Sequence, residues 1–139
     1  MNRLITFSAA VSLLVGVTGT AFAESMGEAE YKSSCATCHG VDGKGGGEFA
    51  EFLKGGAPSL RVLSKNNGGV FPYDRVYKII DGRTAVKKHG SREMPIWGDQ
   101  YTAESVKDHG PFFGEYYAED AINARVLGLI DHIHKLQDK

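Results

Sequence analysis

Cys35-Ala36-Thr37-Cys38-His39 holds both cysteines of a 139-residue chain and one of its five histidines. Two thiols at this spacing followed at once by an imidazole form the C-x-x-C-H signature of c-type haem attachment. The thiols can add across the two vinyl groups of one porphyrin while the adjacent imidazole reaches the iron. One short segment then supplies two tethers and an axial ligand. Two other chemistries use related spacings. A thioredoxin-like dithiol needs a strand before the motif and a helix beginning at its first Cys, whereas the residues ahead of Cys35 read as helix. Structural zinc needs four ligands; no further Cys exists, and His132 and His134 make a poor partner pair.

The N-terminus agrees with haem attachment. Met1 to Ala23 carries a single basic residue, Arg3, an apolar run from about Ala9 to Val17 and a small-x-small site at Ala21-Phe22-Ala23. These predict a secretory signal peptide, residues 1–23, cleaved after Ala23. The apolar run is shorter than the roughly 18 to 20 residues that span a bilayer, so no stable membrane insertion is expected after cleavage. Thioether attachment belongs to compartments outside the cytoplasm, and the expected location is periplasmic. Residues 24–139 suffice for one domain. Arg3 is one of 16 basic residues, leaving 15 against 17 acidic ones, a net charge near −2. Nucleic-acid binding, which needs a basic excess, is not indicated.

Periodicity predicts an all-α domain. Ser25-Met26-Gly27-Glu28 is a capping box that starts a first helix running through Tyr31 towards Cys35. Gly40 to Gly47 holds five glycines in eight residues and reads as a loop. It is either a plain surface linker or a backbone able to pass close to the porphyrin edge. A short helix over Glu48 to Lys54 would bury Phe49, Phe52 and Leu53 and stop at Gly55-Gly56. Another starts after Pro72, with Tyr73, Val76, Tyr77 and Ile80 on one face and Gly82 as its stop. Between Gly82 and Trp97 the pattern fails and predicts loop. A last helix over roughly Glu119 to Gln137 carries Ile122, Val126, Leu129, Ile130, Ile133 and Leu136 as an apolar stripe.

With four iron positions taken by porphyrin and one by His39, the sixth ligand decides the function. Met26 lies too close before the motif to reach the opposite face. Met94 stands in a segment without periodicity, and Pro95 biases it towards extended backbone that can present its thioether. His89 is the main rival and His109 the next.

With Cys35 to Gly40, the glycine loop, Ala57-Pro58-Ser59-Leu60 and Met94-Pro95-Ile96-Trp97-Gly98, the chain resembles a class I c-type cytochrome of the bacterial mono-haem type. The resemblance covers most of Ser25 to Trp97 and the final helix. It implies a class I cytochrome c fold, about four to five helices around one covalently bound haem, with crossing N- and C-terminal helices. It also implies a proline carbonyl that accepts a hydrogen bond from the proximal imidazole, and Pro58 is the matching residue. Such a bond would fix the ring of His39 and raise its basicity; a loop stiffener is the plainer role for Pro58. Two departures stand out. Residues 101–117 form an extended aromatic connection before the C-terminal helix. His132 stands where such proteins often carry an aromatic residue, so the helix crossing is expected to pack differently.

The cofactor set is then one haem c held by Cys35 and Cys38, with His39 and Met94 as metal ligands. A closed iron suits electron transfer rather than catalysis, and thioether ligation favours the ferrous state. The expected function is a periplasmic electron carrier, not an enzyme, between a redox donor and acceptor such as a dehydrogenase, oxidase or reductase. Lys87, Lys88 and Arg92 could form a docking patch, an ordinary solvated loop being at least as good a reading. Two alternatives remain: a dedicated haem subunit of a dehydrogenase, or a haem sensor or peroxidase-like protein with a labile sixth ligand. For Trp97 core packing is expected, and for Arg61 and Arg83 surface exposure.

Overall fold

The computed structural model describes residues 24–83, 94–110 and 115–139, the side chains of the last stretch from 118 onward. Among them the elements run α1 Met26–Ser34, α2 Ala36–His39, α3 Tyr73–Asp81, α4 Trp97–His109 and α5 Glu115–Lys135. Single 3-10 turns sit at Ala50–Phe52 and Lys65–Asn67. No strand occurs among the described residues, and the domain is all-α, consistent with the class I cytochrome c fold. The signal segment, Lys87, Lys88, His89, Arg92 and Pro111 to Gly114 lie outside the described residues.

The local signals explain most of the helix ends. The Ser25 hydroxyl accepts a hydrogen bond from the Glu28 amide at 3.1 Å, satisfying one of the unpaired N–H groups that open α1. α3 starts behind Pro72 and stops at Gly82, whose amide donates to the Lys78 carbonyl at 3.1 Å. Val76 and Ile80 of α3 are buried. On α5, Ile122, Val126, Leu129, Ile130 and Ile133 are all buried, the face that their 3.6-residue period requires. Burying each such side chain contributes roughly 1.5–3 kcal/mol before entropy is subtracted.

α1 packs along α5, and the two backbones touch where they cross. A Cβ on Gly27 would fall inside the carbonyl group of Gly128. Each glycine weakens its own helix by roughly 0.5–1 kcal/mol relative to alanine, a cost offset by the approach it permits. That approach closes the core around Tyr31, which is fully buried with its ring 4.8 Å from His132. His132 thus fills the place expected for an aromatic ring and packs as one. His134 accepts or donates a 2.7 Å hydrogen bond through Nδ1 with the Tyr73 hydroxyl.

Two expectations are corrected. The predicted helix over Glu48 to Lys54 is only the turn Ala50–Phe52, with Phe49 56% and Phe52 73% exposed. Glycines on both sides leave too few residues to repay helix nucleation. The stretch from Tyr101 onward is no bare connection: α4 covers Trp97–His109, and α5 begins at Glu115, earlier than its apolar stripe indicates. α4 buries only Gly98 and Tyr101, which is too little patterning to announce a helix.

Candidate haem site

The C-x-x-C-H segment is a helix interrupted and restarted. α1 ends at Ser34, and the Cys35 amide still reaches the Tyr31 carbonyl at 2.9 Å. The chain then re-enters a single turn, α2, with Cys38 and His39 at its end. Cys35 is buried in the core, Cys38 is half-buried, and both are free thiols. Burial, with Glu30 and Cys38 nearby, pushes the Cys35 thiol up to about 12, so it stays protonated near neutral pH.

The glycine run caps this turn with its own backbone. The amides of Gly45, Gly47 and Phe49 donate to the carbonyls of His39, Cys38 and Thr37 at 2.8, 3.1 and 2.9 Å. A Cβ on Gly47 would fall inside the Thr37 carbonyl, and one on Gly45 inside that of Ala57. Gly45 also stands at φ +95°, a conformation that other residues rarely adopt. Residues 40–47 are therefore a tight clamp on α2 that carries the chain towards Pro58.

His39 Nδ1 lies 3.0 Å from the Pro58 carbonyl oxygen. With the proton on Nδ1 the ring donates to that carbonyl, and Nε2 is left as its ligating nitrogen. Burial lowers the His39 pKa and the Pro58 carbonyl partly opposes it, so the imidazole is neutral at neutral pH. Behind α2, the Tyr31 hydroxyl donates to the Gly40 carbonyl at 2.7 Å, joining the helix crossing to the residue after His39.

The structure thus brings Cys35, Cys38, His39 and Pro58 together. Met94 is half-buried and packs, with Trp97, against the same hydrophobic core that contains Cys35 and Ala36. Three residues later α4 begins, and the Trp97 ring lies 5.8 Å from that of Tyr101. His109 sits exposed at the end of α4.

Two charged networks around α4 have no counterpart in the sequence reading. In the first, the Glu30 carboxylate accepts from Ser34 Oγ at 2.7 Å, Tyr101 Oη at 2.9 Å and Arg125 Nη2 at 2.9 Å. Arg125 also donates to Glu104 at 2.7 Å and lies 3.7 Å above the Tyr101 ring. Burial pushes the Glu30 pKa up, but these donors together hold it below the ordinary value. The second joins Asp81, Arg83 and Glu119, so Arg83 is exposed as expected and is also paired with two carboxylates. Such partners lie up to 95 positions apart, and no local pattern marks them. Gly27 and Gly128 did carry a signal, each being an isolated glycine within a helical pattern.

A C-x-x-C-H turn inside an all-helical domain is the mark of a c-type cytochrome. Residues 23–109 match the family model described as "Cytochrome C oxidase, cbb3-type, subunit III", and the chain belongs to that family. Membership makes this a haem-based electron-transfer domain, the family's haem c being covalently bound. Neither the curated proteins nor the solved structures contain a match. The residues fit such a haem on their own chemistry: two free thiols on one turn beside a neutral imidazole whose Nδ1 is already engaged.

Proposed function

We propose that the chain is a periplasmic mono-haem electron carrier, with Cys35 and Cys38 as the thioether tethers and His39 and Met94 as the axial ligands. The observation that carries this reading is the 3.0 Å contact between His39 Nδ1 and the Pro58 carbonyl. It selects the tautomer that offers Nε2 and holds the ring in one orientation.

A haem bound here supplies a one-electron Fe(II)/Fe(III) couple. The chain's own residues determine how it behaves. Pro58 keeps His39 basic and oriented, and the core around Cys35 keeps water away. Met94, the candidate thioether, completes coordination and favours the reduced state. With no open ligand position, the domain exchanges electrons with little rearrangement. The cleaved leader, residues 1–23, delivers the chain to the compartment where thioethers form.

An optical spectrum of the haem-loaded protein tests this. The oxidised form is expected to show a weak far-red sulfur-to-iron band that vanishes in Met94→Ala. High-spin iron or ready carbon monoxide binding in the unaltered protein would overturn the reading and favour a sensor or peroxidase-like protein.

The family description favours one further reading, a haem subunit held within a respiratory complex with redox partners. No described helix is long and apolar enough to cross a membrane. Size exclusion of the native protein separates the two, since a held subunit co-elutes with its complex and a carrier runs alone.

A further inference from the structure

Arg83 joins three parts of the chain through one side chain. Its Nε donates to Asp81 Oδ1 at 2.7 Å, while Nη1 and Nη2 donate to the two carboxylate oxygens of Glu119 at 2.7 Å each. Asp81 ends α3 and is only 5% exposed, and a carboxylate so buried needs a charged, hydrogen-bonding partner. Glu119 belongs to α5, so Arg83 fastens the end of α3 to the flank of the C-terminal helix. Its guanidinium pKa is raised, chiefly by the bond to Glu119.

Gly98, in the first turn of α4, lies directly on this network. A Cβ there would stand 2.5 Å from both Asp81 Oδ1 and Arg83 Nε. Arg83 opens the stretch of chain that leads to Met94, and Gly98 follows Met94 by four residues. The two ends of the segment that carries Met94 therefore meet, and they meet at the Asp81–Arg83–Glu119 network.

We propose that this network is a clasp that keeps Met94 in place as an iron ligand, with Arg83 as the positioning residue. The proposal rests on the reading of Met94 as the sixth ligand. With the start of α4 seated on the network four residues after Met94, the Met94 side chain has fewer arrangements open to it, which raises the effective concentration of its thioether at the iron. Only arginine has a planar fork that can hold Glu119 with two nitrogens and Asp81 with the third. A side chain at Gly98 would force Arg83 or Asp81 to shift and so disturb the clasp.

The test titrates the oxidised, haem-loaded chain with imidazole, which must displace Met94 to bind, and follows loss of the far-red band. Arg83→Gln is expected to tighten apparent imidazole binding about tenfold, the size set by losing charge-assisted hydrogen bonds. Arg83→Lys is expected to restore part of that loss. Glu119→Gln removes an exposed carboxylate, leaves Asp81 paired, and is expected to shift binding about threefold in the same direction; it serves if Arg83→Gln fails to fold. Arg61→Gln, which breaks the separate pair with Asp138, is the control and should stay within about twofold. Helix unfolding is recorded for each variant, so that general loosening is told apart from loss of Met94. A band in the unaltered protein with imidazole binding unmoved by the Arg83 and Glu119 variants overturns the clasp alone, as does an equal shift in Arg61→Gln. A missing band, or one that survives Met94→Ala, overturns the Met94 reading and the clasp with it.

Discussion

The surroundings of His39 and those of Met94 are built in opposite ways. Around His39 most of the fastening comes from one stretch of chain, Cys35 to Pro58, held by main-chain hydrogen bonds and by glycines that let backbone lie on backbone, with the Tyr31 hydroxyl added from α1. Around α4, which begins three residues after Met94, the fastening is made by side-chain charges from distant elements, Glu30 with Arg125 and Arg83 with Glu119. A local, main-chain assembly responds to shape. An assembly of side-chain charges responds to protonation and to the loss of single donors.

The sharpest way to break that contrast is on the His39 side. Gly45→Ala combines a disfavoured φ with a Cβ driven into the Ala57 carbonyl and should cost about 3 kcal/mol or more. Urea unfolding of the haem-loaded protein measures it; a loss under about 1 kcal/mol would show that the clamp yields easily.

On the Met94 side the expected effects are smaller. Tyr101→Phe removes one donor from the nearly buried Glu30 carboxylate and should cost about 1–2 kcal/mol in the same assay. Glu30 titrates below the ordinary value of 4.5 in the folded protein. Its stabilisation is therefore complete above that value and is lost as the pH falls through the lowered one. The melting temperature of the unaltered protein should drop more steeply than that of Glu30→Gln on acidification from neutral pH to below the ordinary carboxylate range; parallel curves would place the acid sensitivity elsewhere.

The smallest effect is expected at Pro58. Its contact with His39 is made by a main-chain oxygen, so Pro58→Ala keeps the acceptor and loses only the stiffness of the ring, about 0.4–1 kcal/mol. The haem spectrum should be unchanged. A spectral shift would mean that the proline ring itself sets the orientation of His39.

The same contrast explains what could be read from residues alone. The capping box at Ser25, the stop at Gly82 and the stripe from Ile122 to Ile133 are local patterns, and the structure repeats them. The expected helix around Ala50 failed because flanking glycines left it too short. α4 escaped notice because its position depends on Tyr101 meeting Glu30 and on Gly98 meeting Asp81 and Arg83, contacts with no local periodicity. Arg83 looked like any solvated cation for the same reason.

From the sequence by itself came the candidate haem turn, with its two tethering cysteines and its one ligating histidine in one pentapeptide, the helical class and the positions of the strongest helices. All of these depend on residues within a few turns of one another. Tertiary structure alone decided which glycines let α1 and α5 touch, what covers Tyr31, and which charges close around α4. Those outcomes depend on pairs many tens of positions apart, whose meeting is set by how the helices pack and by nothing in their immediate neighbours.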